Sequence, residues 1–140
     1  MDSILTGLVP DKPDDHFKED ENGRYAGLHL LIDLRNVPFD ILNDKESIRA
    51  ALLKAVKKAG AKNLYTRLHP FSPQGVAGVA VLAESHMSIH TWPERGEAAL
   101  DAFMCGKADP HVAYETFCAE LGIDPLIGEV QAFRRLVERS

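Results

Sequence analysis

Apolar and polar positions along the chain fall into stretches with different periods. Gly27–Leu34 (GLHLLIDL) is a short, nearly continuous apolar run rich in Leu and Ile, the length of a buried strand. Asn36–Pro38 breaks it. Ile48, Leu52, Val56 and Ala59 then recur every three or four residues, which aligns them on one helix face. Asn43, with Glu46 three residues on, has the form of a capping box, and Gly60 offers a stop, so the spacing predicts a helix over 44–59. Leu64–His69 and the small-apolar run Val76–Ala83 predict strands on either side of a loop at 70–75. Ser88–Thr91 and Ala98–Met104 read as extended, joined by a turn at Trp92–Gly96. Asp109-Pro110 marks the start of a second helix, because Pro is favoured at the first helical position. Ala113, Phe117 and Leu121 form its apolar face and Gly122 ends it. Glu129–Val137 fits a last strand or a short helix equally well by period. The order β-α-β-β-β-β-α-β predicts an α+β fold, a two-layer sandwich in which a mostly antiparallel sheet carries helices on one face.

Residues 1–24 differ from the rest: acids outnumber bases, and Pro10 and Pro13 interrupt any helix. They are expected to form a flexible acidic leader ahead of a single domain at 25–140. A chain of 140 residues with 45% apolar and 26% charged residues suits one globular domain. Its net charge of −5, with no Lys/Arg cluster, argues against nucleic acid as a partner. No apolar run reaches the roughly 18 residues of a membrane span, so no membrane role is expected. The first residues lack the basic-then-apolar layout of a signal peptide. Two cysteines are too few for a disulfide framework or a four-Cys zinc site, and a cytoplasmic protein with reduced thiols is expected.

The densest chemistry lies in Glu84–Cys105 (ESHMSIHTWPERGEAALDAFMC). His86 and His90 are four residues apart. On a strand they share a face but stand about 13 Å apart, too far to share one ion, and no metal site is expected. Ser85 and His90 are five apart, which points them to opposite faces of a straight strand, and no Gly-x-Ser-x-Gly elbow is present. Residue types and spacing thus reach a candidate Ser/His/Cys site without an identified reaction. Cys118, beside Phe117 and Leu121, reads as a core residue.

The run Glu84–Glu94 (ESHMSIHTWPE), followed by Cys105-Gly106 and preceded by Phe71–Val76 (FSPQGV), closely resembles the prokaryotic S-adenosylmethionine decarboxylase proenzymes; the likeness spans about residues 27–125. The resemblance implies self-cleavage between Glu84 and Ser85. The Ser85 hydroxyl would attack the preceding carbonyl to give an ester; β-elimination would free a β chain of residues 1–84 and leave a dehydroalanine, which water would hydrolyse, with loss of ammonia, to a pyruvoyl group at the head of an α chain of residues 85–140. That pyruvoyl group, derived from Ser85, is the implied cofactor. It would take the substrate amine as a Schiff base and accept the electrons released with CO2. The resemblance further implies His90 as the acid–base group of processing, Cys105 as proton donor in catalysis, Glu94 as a ligand of ribose hydroxyls and Phe71 as the ring stacked on adenine. It also implies a homodimer with active sites at the interface.

The chain departs from the family pattern at four places. Ala77 stands where a processing Ser is usual, Arg95 and Glu97 replace an aromatic pair, and Met104 replaces a Thr. Glu97 could complement a basic side chain, so ornithine or arginine is the alternative substrate and Glu97 a further candidate binding residue. An unprocessed regulatory or binding paralogue is the alternative of another class.

Overall fold

The computed structural model describes residues 17–139; the part of the expected leader at 1–16 lies outside the described residues. The expectation fails for the leader's end. Lys18–Asp20 is a strand, β1, paired antiparallel with the start of β2, Gly23–Leu34. Asn22 N–H, which donates to Asp20 Oδ1 at 2.8 Å, closes the turn between them. A local polar turn therefore orders this acidic stretch.

Strands β3 (Asn63–Pro70), β4 (Val76–Leu82), β5 (Ser85–Trp92), β6 (Glu97–Cys105) and β7 (Glu129–Val137) complete one sheet, and every pairing is antiparallel. From one edge the order is β3-β4-β5-β6-β2, after which β2 pairs with both β1 and β7. The segment left undecided by period is thus a strand. Its partner β2 supplies a register from Asp33↔Glu129 to Tyr25↔Val137 that no local spacing reveals.

Helices α2 (Lys45–Lys58) and α3 (Pro110–Leu121) lie where expected, and a short helix α1 (Phe39–Leu42) follows the break at Asn36–Pro38. The cap of α2 is one residue later than the capping-box pattern predicts. Asp44, not Asn43, accepts from Ser47 N–H at 3.1 Å, and these bonds hold its carboxyl below the usual carboxylate range. Asn43 is used elsewhere: its Oδ1 accepts from Gly75 N–H at 2.9 Å. Ile48, Ala51, Leu52, Ala55 and Val56 of α2 and Ala113, Phe117 and Cys118 of α3 are buried. They share one core with Leu30, Ile32, Ala80, Met87, Leu100, Ala102 and Met104 of the sheet. The two-layer α+β sandwich with helices on one face is therefore as expected. Among the described residues no helix is long and apolar enough to cross a membrane.

The strict alternation of β5 and β6 separates two faces. Ser85, Met87, Ile89 and Thr91 are buried with the helices. The other face carries His86, Ser88 and His90 of β5, aligned with Phe103, Asp101 and Ala99 of β6, and through β2 with His29, Leu31 and Asp33. No helix covers this second face among the described residues.

Candidate active site

The sequence-predicted residues separate into two groups at opposite ends of β5. At its start, β4 and β5 are joined by the two-residue turn Ala83-Glu84. Glu84 has φ +64°, the left-handed region that L-residues avoid at a cost of about 1–2 kcal/mol. Ser85 follows, only 8% exposed, and its Oγ accepts from Cys105 N–H at 3.1 Å. Cys105 ends β6 and is half-buried. Burial, and then the Glu84 carboxylate, push its thiol pKa up, with the Lys18 ammonium opposing them. Such a thiol keeps its proton at neutral pH. Cys118 is fully buried on α3, as its apolar neighbours predicted, and burial raises it to about 11.

At the far end of β5, His90 stacks between two rings. Trp92 lies at 4.1 Å between centroids with planes 14° apart, and Phe71 at 5.9 Å and 15°. His69 meets Phe71 edge-on at 4.8 Å. The loop that holds Phe71 is fixed by backbone and side-chain bonds. Phe71 N–H donates to Gly75 O at 2.8 Å, and buried Thr91 ties the loop's exit by accepting from Val76 N–H at 2.9 Å while donating to Leu42 O at 2.8 Å. Gly75 itself has φ +106°, and an added Cβ would meet Thr91 O at 3.2 Å, so a larger residue would be strained in this turn. Phe71 is 45% exposed and presents a free aromatic surface. Glu94 lies in a single 3-10 turn, Pro93–Arg95, and is exposed. Ala77 pairs with His90 across β4 and β5, so the missing hydroxyl belongs at this end.

Ser85 and His90 are not brought together within the chain. They point to opposite faces, as their spacing predicted, and five strand residues separate them by about 16 Å. Glu97 is not a free carboxylate either. Arg95 Nε lies 2.6 Å from one of its oxygens and Arg35 Nε 3.5 Å from the other. Glu97 therefore shares its charge with Arg95 and with Arg35, whose guanidinium also pairs with Glu129.

Sequence reasoning missed one cluster, at the centre of the uncovered face. His29 Nε2 and His86 Nε2 lie 2.6 and 3.1 Å from Asp101 Oδ2, and Ser88 donates to Oδ1. Arg135 Nη1 faces His29 Nδ1 at 3.0 Å, so that nitrogen accepts and Nε2–H donates to Asp101. Burial acts to raise the Asp101 carboxyl, but bonds from Ser88, His29 and His86 outweigh it and leave it below the ordinary range. His29, His86 and Asp101 are the group among the described residues that could hold a metal ion, with ligand atoms within 4.8 Å of one another. Their hydrogen bonds already form a closed network. The available sequence signal was Asp101 itself, a charge amid the small and apolar residues of a strand.

A family model described as S-adenosylmethionine decarboxylase matches residues 28–135. The S-adenosylmethionine decarboxylase proenzyme of Thermodesulfovibrio yellowstonii is 50% identical over 88 residues, which cover 62% of this chain and 65% of that protein, just under two thirds of its length. The proenzyme of the same name from Methanococcus vannielii is 47% identical over 98 residues, 70% of this chain and 78% of that one. Among solved structures, the adenosylmethionine decarboxylase from Aquifex aeolicus VF5 superposes with a TM-score of 0.70 at 37% identity, covering 81% of this chain and 92% of that chain.

Proposed function

The chain belongs to the S-adenosylmethionine decarboxylase family, and from that membership we propose a cytoplasmic carboxy-lyase that cuts itself at Glu84–Ser85 and then removes CO2 from S-adenosylmethionine for spermidine synthesis. A pyruvoyl group made from Ser85 supplies the electron sink for this decarboxylation. The residues present fit such a group. Ser85 is shielded from water, its Oγ is fixed by the Cys105 N–H, and it follows a residue in an unfavourable conformation. Attack of Oγ on the Glu84 carbonyl carbon forms an ester and breaks the adjoining C–N bond, the hydroxyl proton passing to the nitrogen; loss of the Ser85 α-proton then breaks the Cβ–Oγ bond, parts the chain and releases the left-handed constraint on Glu84.

The observation that carries the reading is the division of the site into two half-sites. Ser85 and Cys105 stand at one end of the strands, and Phe71, His90 and Glu94 at the other. The uncovered sheet face, on which His90, Phe103 and Phe133 stand, is where a second copy docks. A two-fold dimer through that face lays the His90 end of one copy's β5 over the Ser85–Cys105 end of the other's, so that His90 approaches the backbone Cα of Ser85 rather than its inward-facing hydroxyl. His90 then removes the Ser85 α-proton during elimination, its imidazole acting as the general base. Cys105 holds a proton on Sγ for return to the substrate carbon after CO2 leaves. Phe71 offers its face to adenine and Glu94 its carboxylate to a ribose diol.

The substrate is tested by offering the purified protein S-adenosylmethionine, ornithine and arginine. Only the first should release CO2. Phe71→Ala should raise its KM about tenfold or more, since stacking on a base is worth about 1–3 kcal/mol. Glu97→Gln should alter turnover little. Ornithine or arginine turnover abolished by Glu97→Gln, with S-adenosylmethionine inert, would overturn the assignment.

A further inference from the structure

Lys18 lies ahead of the segment matched by the family model, in the strand that the sequence alone read as leader. Its side chain is half-buried and reaches far along the chain. Nζ donates to Gly106 O at 2.8 Å and to Ala108 O at 2.5 Å. Those carbonyls belong to the turn immediately after Cys105. The turn is closed by Ala108 N–H donating to Cys105 O at 3.3 Å, and it passes through Gly106 at φ +59°. A bent turn with two carbonyls facing inward needs a donor, and β1 supplies it from 88 residues away.

We infer that Lys18 is a positioning residue for Cys105: its ammonium pins the turn that carries the thiol and sets a positive charge beside the sulfur. This rests on Cys105 as the proton donor. When Sγ gives its proton to the substrate carbon it is left as a thiolate, and a neighbouring ammonium stabilises that anion until water returns the proton. The charged groups facing the sulfur are Glu84 from the β4–β5 turn, which disfavours the thiolate, and Lys18 from β1, which favours it. Asp109, the α3 cap, faces Lys18 and helps keep it protonated against the desolvation that lowers it. A general acid works best with its pKa near the working pH, and Lys18 moves Cys105 in that direction.

The test is the pH dependence of iodoacetamide alkylation at Cys105, resolved from Cys118 by peptide mass, in wild type, Lys18→Met, Lys18→Gln and Lys18→Arg. Lys18 stands outside the apolar core, so its variants leave that core intact. Both neutral variants should move the alkylation midpoint up by about half a pH unit or more, with Lys18→Arg close to wild type. The kcat profile should move with it while KM for S-adenosylmethionine stays within about twofold. An unmoved midpoint in the neutral variants, or an equal shift in Lys18→Arg, would overturn the proposal. Alkylation does not depend on turnover: a shifted midpoint in a protein inert toward S-adenosylmethionine would uphold the Lys18–Cys105 coupling and sink the proposed reaction instead.

Discussion

A Ser85→Ala protein is expected to remain one uncut 140-residue chain and to lose decarboxylation entirely, a fall of about 10^6-fold or more, the least that an ordinary enzyme achieves over the uncatalysed reaction. Oγ is both the nucleophile of processing and the atom whose departure creates the electron sink, so no other group takes over either task. The fold should survive. Ser85 sits at the first position of β5, and the hydrogen bond that its side chain accepts from Cys105 N–H is worth about 1 kcal/mol. Denaturing electrophoresis and a thermal melt separate the two effects: full-length chain, melting close to wild type. Cleavage of Ser85→Ala at the same bond would remove Ser85 from the mechanism.

The second large effect is restoration. His90→Ala alone should stay uncut, because loss of a positioned acid–base group slows proton transfer by about 10^2–10^4-fold. Ser85→Ala alone stays uncut as above. Produced together, the two variants should yield cut chains. In a mixed dimer, Ser85 of the His90→Ala chain meets the intact His90 of the other copy. Random pairing makes about half of the dimers mixed, so about half of the His90→Ala chains should be cleaved. The prediction follows from the opposite faces of Ser85 and His90 on one strand and their separation of about 16 Å. Mixed dimers in which both chains stay whole would show that His90 does not act across the interface.

Much of this arrangement was legible in the chain. The alternation of β5 and β6 and the helical spacing of Ile48, Leu52 and Val56 depend on local periodicity, which survives folding unchanged. The Ser85–His90 spacing was likewise enough to deny a one-chain pair. Three features were not legible. The strand β7 takes its identity from pairing with β2, some 100 residues away. The α2 cap moved from Asn43 to Asp44 because both residue types suit the position and tertiary contact with Gly75 claimed the first. Lys18 was assigned to a flexible leader on composition, and only its distant partners Gly106 and Ala108 identify it. Glu97 shows the same limit from the other side. It reads as an available charge in the sequence and is matched in space by Arg35 and Arg95.

The intact mass of the freshly purified wild-type protein bears most directly on self-processing at Glu84–Ser85. Two chains are predicted, residues 1–84 and 85–140, in equal amounts, with the shorter one lacking a free amine at its start. A single 140-residue chain that decarboxylates S-adenosylmethionine at full rate would contradict the account.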